Sequence, residues 1–192
     1  MSSMSIESIS LIVTVFLALF GYLFTYRNNI KVSKRKEKLE LITKRISEFY
    51  GPLYVSTQTG EKALLALLQK LGKKSVFDDP KEKDLIEWRI WVESVFMPNN
   101  NRIEQLIVEK AYLIQEQEIP ACLLDFIAHH SGLKAVAKKW ENGDFSENQS
   151  VINFPSEIQK YAEDSYRQLK EKQLELIGDL KVNMQFHKKY TI

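Results

Sequence analysis

The sequence predicts an all-α protein, with one N-terminal transmembrane helix followed by a cytosolic helical bundle that ends in a long C-terminal helix. Three observations predict it. A run without any charge, SISLIVTVFLALFGYLFTY, fills Ser8 to Tyr26. Apolar residues recur at helical spacing through most of the remaining chain, the pattern of amphipathic helices. Only seven glycines and five prolines punctuate 192 residues, which leaves the helical runs long.

The charge-free run is nineteen residues long. At 1.5 Å per residue a helix of that length spans about 28 Å, close to the hydrocarbon thickness of a bilayer. It stops at Arg27, and Lys31, Lys34, Arg35, Lys36 and Lys38 follow, whereas only Glu7 precedes it. Basic residues on one flank place that flank in the cytoplasm. A cleaved signal peptide needs basic residues before the apolar core and a small-residue cleavage site after it, and neither is present. Ser10, Thr14, Ala18, Gly21 and Thr25 share one stripe of the helix. Lipid offers no hydrophobic drive for helices to associate, so a small, hydroxyl-bearing stripe suits close packing against other copies. The alternative is that its hydroxyls bond back to their own helix. A lone helix cannot enclose a pore, so any effect on the bilayer requires several chains.

Composition divides the chain further. Arg27 to Lys38 holds six basic residues and one acid, Glu37, a charge that suits anionic headgroups. Residues 39–192 hold 21 basic residues against 23 acids, a net of −2, so that part binds neither DNA nor long RNA through bulk charge. The expected organisation is an anchor over 1–26, a basic juxtamembrane helix over 27–49 and a cytosolic helical domain over 50–192. Cys122 is the only cysteine, so no intrachain disulfide forms.

Beyond the anchor, Leu39, Ile42, Ile46 and Phe49 continue the membrane helix outward at helical spacing. Tyr50-Gly51-Pro52 punctuates the chain, with Pro52 opening a helix that Gly72 closes. Asp79 is expected to cap the next helix, with Pro80 in its first position and Glu82 completing a capping box. Leu85, Trp88, Trp91, Val92 and Val95 give that helix an apolar side, and Pro98 is expected to end it. Asn99, Asn100 and Asn101 then cap a helix from about Asn101 to Gln115. Pro120 opens another to about Trp140, Glu141 to Asn153 reads as loop, and a last helix runs from Pro155 to about Lys188. Ile158, Tyr161, Ser165, Leu169, Leu176, Leu180 and Met184 trace a heptad-like seam along it.

No Gly-rich phosphate loop, paired-cysteine pattern or His-Glu-x-x-His motif occurs, so neither an enzyme nor a metal site is expected. Cys122 lies two helical turns from His129 and His130, too far for a nucleophile and base on one helix. Two groups suit a phosphate-bearing ligand. At Asn99, Asn100, Asn101 and Arg102 a helix N-terminus would meet three carboxamides and a guanidinium; an ordinary cap with a polar turn is the alternative. His130, Lys134 and Lys138 share one helical face, with Lys139 and Trp140 beside them. An imidazole, ammonium groups and an aromatic ring can hold phosphates and stack a base; the alternative is a solvated lysine face.

Four stretches carry a resemblance: Glu48-Phe-Tyr-Gly-Pro-Leu-Tyr54, Trp91-Val-Glu-Ser-Val-Phe-Met-Pro-Asn99, Glu118-Ile-Pro-Ala-Cys-Leu-Leu124 and Asn153-Phe-Pro155. They resemble small bacterial membrane-anchored proteins, and the order of one N-terminal membrane helix followed by a helical cytosolic domain resembles membrane effectors of type III CRISPR antiviral defence. The resemblance implies a bacterial inner-membrane protein, N-terminus outside, that responds to cyclic tetra-adenylate. A ring of four adenines and four phosphates suits a homotetramer binding it on its axis. The competing expectation is a membrane-tethered adaptor that grips a partner protein through the C-terminal seam.

Overall fold

The computed structural model describes residues 6–190, and side chains over 10–178 and at 180. Every regular element among them is helical. The helices are α1 (Ile6–Arg45), α2 (Gly51–Leu71), α3 (Glu82–Trp91), α4 (Met97–Lys110), α5 (Ala121–Glu141) and α6 (Glu157–Tyr190). The chain divides into two compact units, Thr43–Glu171 and a second made of 1–42 with 172–192.

In the second unit, α1 carries the apolar run. Its large side chains from Leu11 to Phe24 are 50–72% exposed, and it is the one helix among the described residues long and apolar enough to cross a membrane. Folding within the chain leaves this surface uncovered, as a lipid-facing helix requires. Of the predicted stripe, Thr14 Oγ1 donates to the Ser10 carbonyl and Thr25 Oγ1 to the Gly21 carbonyl, each at 2.9 Å. Those two hydroxyls bond back to their own helix.

Two prolines that the sequence reads as punctuation are absorbed by π-helical turns. The turn Ile46–Tyr50 ends with the Gly51 N–H donating to the Ile46 carbonyl, and Pro52 follows. The turn Val92–Phe96 ends with the Met97 N–H donating to the Val92 carbonyl, and Pro98 follows. A proline lacks the N–H for an ordinary helical bond, and its ring clashes with the carbonyl four residues back. The wider π-turn supplies the missing room. Pro98 therefore does not end a helix; the helical backbone runs from Glu82 through Lys110. Gly51 is required by close approach, because a Cβ there would sit 2.6 Å from the Ile46 carbonyl oxygen.

The expected stop at Gly72 holds. Its φ is +66°, and the N–H groups of Gly72 and Lys73 return to the Gln69 and Leu68 carbonyls at 3.1 Å, satisfying the helix end as a left-handed cap does. The start of α3 lies two residues later than Asp79-Pro80 suggests. Asp84, not Glu82, closes the turn by accepting from the Lys81 N–H at 3.1 Å, and Lys73 Nζ pairs with it at 2.7 Å. Lys73, then the Lys81 N–H, holds the Asp84 carboxyl below the usual carboxylate range.

The core of the Thr43–Glu171 unit takes Phe49 and Leu53 from the first π-turn and α2, Ile103 and Ile107 from α4, and Phe126 from α5. Each is at most 2% exposed, and burial of such a side chain is worth about 1.5–3 kcal/mol. Val92, Leu133, Val136 and Trp140 form a second cluster. Ile158, Ser165 and Leu169 of the C-terminal seam are buried, as is Leu176; the Met184 side chain lies outside those described.

Candidate functional site

The carboxamide group predicted at a helix start sits inside a continuous helix. Phe96, at the capping position of α4, is itself helical and offers no side-chain cap. Asn99, Asn100, Asn101 and Arg102 consequently lie on the first turns of α4 with no free helix N-terminus beside them, because the preceding turn engages the backbone. They divide by direction. Asn101 and Arg102 are exposed, Asn100 is 8% exposed and Asn99 is half-buried. Asn99 Nδ2 donates to the Ser56 carbonyl at 3.1 Å, tying α4 to α2. This crossing is close, since a Cβ on Gly60 would lie 3.1 Å from the same nitrogen.

The second predicted group is also internally engaged. His130 is fully buried, and its Nε2 lies 2.8 Å from Asn101 Oδ1. With Nε2 protonated it donates to that oxygen, which leaves Nδ1 buried without a partner. Burial, reinforced by Lys134, pushes the imidazole down to about 4, so it is neutral at pH 7 and offers no positive charge to a phosphate. Lys134 Nζ pairs with Glu104, Lys138 Nζ with Glu141 at 2.6 Å, and Lys139 Nζ with Glu147 at 2.6 Å. Trp140 is 4% exposed in the second core cluster and donates Nε1–H to the Glu147 carbonyl at 2.7 Å. It is a core residue, so its ring is closed to base stacking.

What the structure does assemble is a cavity of about 470 Å³. Thr57, Gly60, Leu64 and Leu65 of α2 form one part, and Asn99, Asn100 and Ile103 of α4 another. Two aromatic groups line it. Trp88 packs against Phe77 and Phe96 at centroid distances of 5.4 and 5.6 Å. Phe154 meets Phe126 at 6.0 Å and His129 at 5.4 Å, both edge-on.

The segment between α5 and α6 closes one flank and is pinned at three points. Trp88 Nε1 donates to the Asn148 carbonyl at 2.6 Å, and Arg89 reaches Asn148 Oδ1 at 3.0 Å. Ser150 is buried against Gly132. His129 Nδ1 lies 2.6 Å from the Ile152 carbonyl and donates there. Sequence reasoning reached Asn99 and Asn100 but not the cavity, because its walls come from residues up to about a hundred positions apart. No protein-family model matches the chain, and neither does any curated protein or solved structure.

Proposed function

We propose that the chain is a signal-gated membrane effector. In this reading α1 crosses the bacterial inner membrane with its N-terminus outside, the helical unit lies in the cytoplasm, and several copies, four in the expected assembly, share a cyclic oligoadenylate. The observation that carries it is the loop-free helical backbone from Ile6 to Leu71. It joins an exposed apolar helix to α2, so a change in how α2 is held passes along hydrogen-bonded backbone instead of being lost in a slack linker. Perturbation of the bilayer by gathered membrane helices is then the output, and no catalytic group is needed.

Arg102 and the Asn101 amide are the exposed polar groups of the predicted set that suit an anionic ligand. Lys134 and Lys138 would have to leave Glu104 and Glu141. Such surface pairs are worth about 0–1 kcal/mol, so a multiply charged ring can outcompete them. Shifting a two-state balance from 1:99 to 99:1 takes about 5.5 kcal/mol of preference, within reach of contacts repeated in each subunit. The adaptor alternative loses its main support, since Leu169 and Leu176 are buried.

Binding of radiolabelled cyclic tetra-adenylate to the full-length protein in detergent tests the reading, with particle mass followed by light scattering. Multimeric mass and weaker binding by Arg102→Ala are expected. A single copy with and without nucleotide would overturn it.

A further inference from the structure

The cavity carries an inference that stands apart from the shared messenger. Among its lining residues the only carboxylate is Glu61, and no lysine or arginine contributes. A phosphate would meet that negative charge with no lysine or arginine to offset it, and the one imidazole in the lining, His129, is already engaged by the Ile152 carbonyl, so an anionic ligand is poorly matched there. The volume, about 470 Å³, lies in the range of small-molecule pockets. The walls are aliphatic and aromatic, with Trp88, Phe96, Phe126 and Phe154 among them. Such walls favour a flat ring over a flexible chain, because stacked and edge-on ring contacts add to area burial.

One polar group in the lining is unexplained. Asn100 is 92% buried and faces the cavity, and its carboxamide makes no hydrogen bond to the described residues. Asn99, next to it, has Ser56 as a partner. Its amide atoms are not among the fully enclosed groups that lack a partner, so they open onto the cavity, where a ligand edge can take the place of water. A carboxamide presents one N–H donor beside one C=O acceptor, so its complement is a group with an acceptor beside a donor. We infer that the cavity binds a neutral, planar, aromatic molecule bearing an amide-type edge, which Asn100 reads through two parallel hydrogen bonds while the aromatic walls enclose the ring.

Quinazolin-4(3H)-one, a neutral bicyclic lactam, serves as the probe. It is titrated calorimetrically into the full-length protein in amphipol, with amphipol alone as the blank. Saturable binding is expected. Affinity should fall about tenfold or more for the N3-methyl derivative, whose donor is blocked, and by a similar factor for Asn100→Leu. The two losses should not add, because each removes the same pair. Leu64→Trp, a change at the partly exposed rim, should abolish binding by filling the space. Should Asn100→Leu fail to fold, the lactam and its N3-methyl derivative compared on the unaltered protein decide the matter. Absence of saturable binding, equal affinity for the two probes, or preference for dodecanoate would overturn the proposal, the last making the cavity an acyl-chain site.

Discussion

Tyr50 and Tyr161, 111 positions apart, meet hydroxyl to hydroxyl at 3.1 Å inside the helical unit. The Gln115 N–H donates to the Tyr50 oxygen at 3.0 Å, and Tyr161 donates to Glu116 Oε2 at 3.1 Å. Each hydroxyl has one proton and either could donate across the pair; because Tyr161 lies nearer Glu116 Oε2 (3.1 Å) than Tyr50 does (3.4 Å), the favoured direction is Gln115 N–H to Tyr50, Tyr50 to Tyr161, Tyr161 to the carboxylate. Bonds in such a series polarise one another. Burial pushes both phenols up, which keeps the protons the relay needs.

Tyr50→Phe should therefore destabilise the protein by about 1–3 kcal/mol, because it orphans the half-buried Gln115 N–H beside the fully buried Tyr50 ring. Tyr161→Phe should cost less, since Tyr50 retains Glu116 at 3.4 Å as an acceptor. Urea unfolding of the two variants measures the order. Equal losses would show that the direction assigned to the relay is wrong.

The buried imidazole of His130 makes stability depend on pH. Its folded value is about 4, below the ordinary 6.5, so the unfolded chain takes up a proton first as pH falls. Stability from this group is intact above 6.5 and is lost downward, by about 2 kcal/mol at pH 5 and about 3 kcal/mol by pH 4. His130→Gln, which keeps a polar group near Asn101, should flatten that slope. Urea midpoints between pH 7 and pH 5 measure it, and parallel slopes in the two proteins would contradict the assignment.

Local rules made much of this fold legible, and their failures have physical causes. The charge-free run, the cap at Gly72 and the opening at Pro120 each depend on a few adjacent residues. Pro98 misled because its steric conflict is resolved upstream, by the wide turn at Val92–Phe96, and with it went the helix start that would have drawn a phosphate to Asn99–Arg102. Periodicity put His130, Lys134 and Lys138 on one face without showing that Glu104, on another helix, claims Lys134. The cavity was invisible for the same reason: Asn100 and Phe154 come together only after α4 and α5 have packed.

Gly132 and Ser150 hold the flank of the cavity. A Cβ at 132 would fall well inside contact distance of Ser150 Oγ, while the Ser150 Cβ would remain at 3.4 Å. That hydroxyl cannot swing away freely, as it accepts the Ile152 N–H at 3.2 Å. Gly132→Ala should loosen the 142–156 segment by about 1–3 kcal/mol. Adding Ser150→Ala should recover part of the loss, because the clashing atom is gone. Amide exchange across the segment reports both, and a strictly additive pair would place the strain elsewhere.

The membrane helix offers the last test. Thr14 and Thr25 spend their hydroxyls on their own backbone, so close approach of another copy falls to the small residues between them, Ala18 and Gly21. Nothing lies within 4 Å of a Cβ at Gly21, and a leucine there leaves the chain's own packing untouched. Gly21→Leu should thus reduce energy transfer between donor- and acceptor-labelled copies in detergent about fivefold or more, equivalent to about 1 kcal/mol of lost association. Its urea unfolding should match that of the unaltered protein. Undiminished transfer would mean that copies, if they meet, do so through another face.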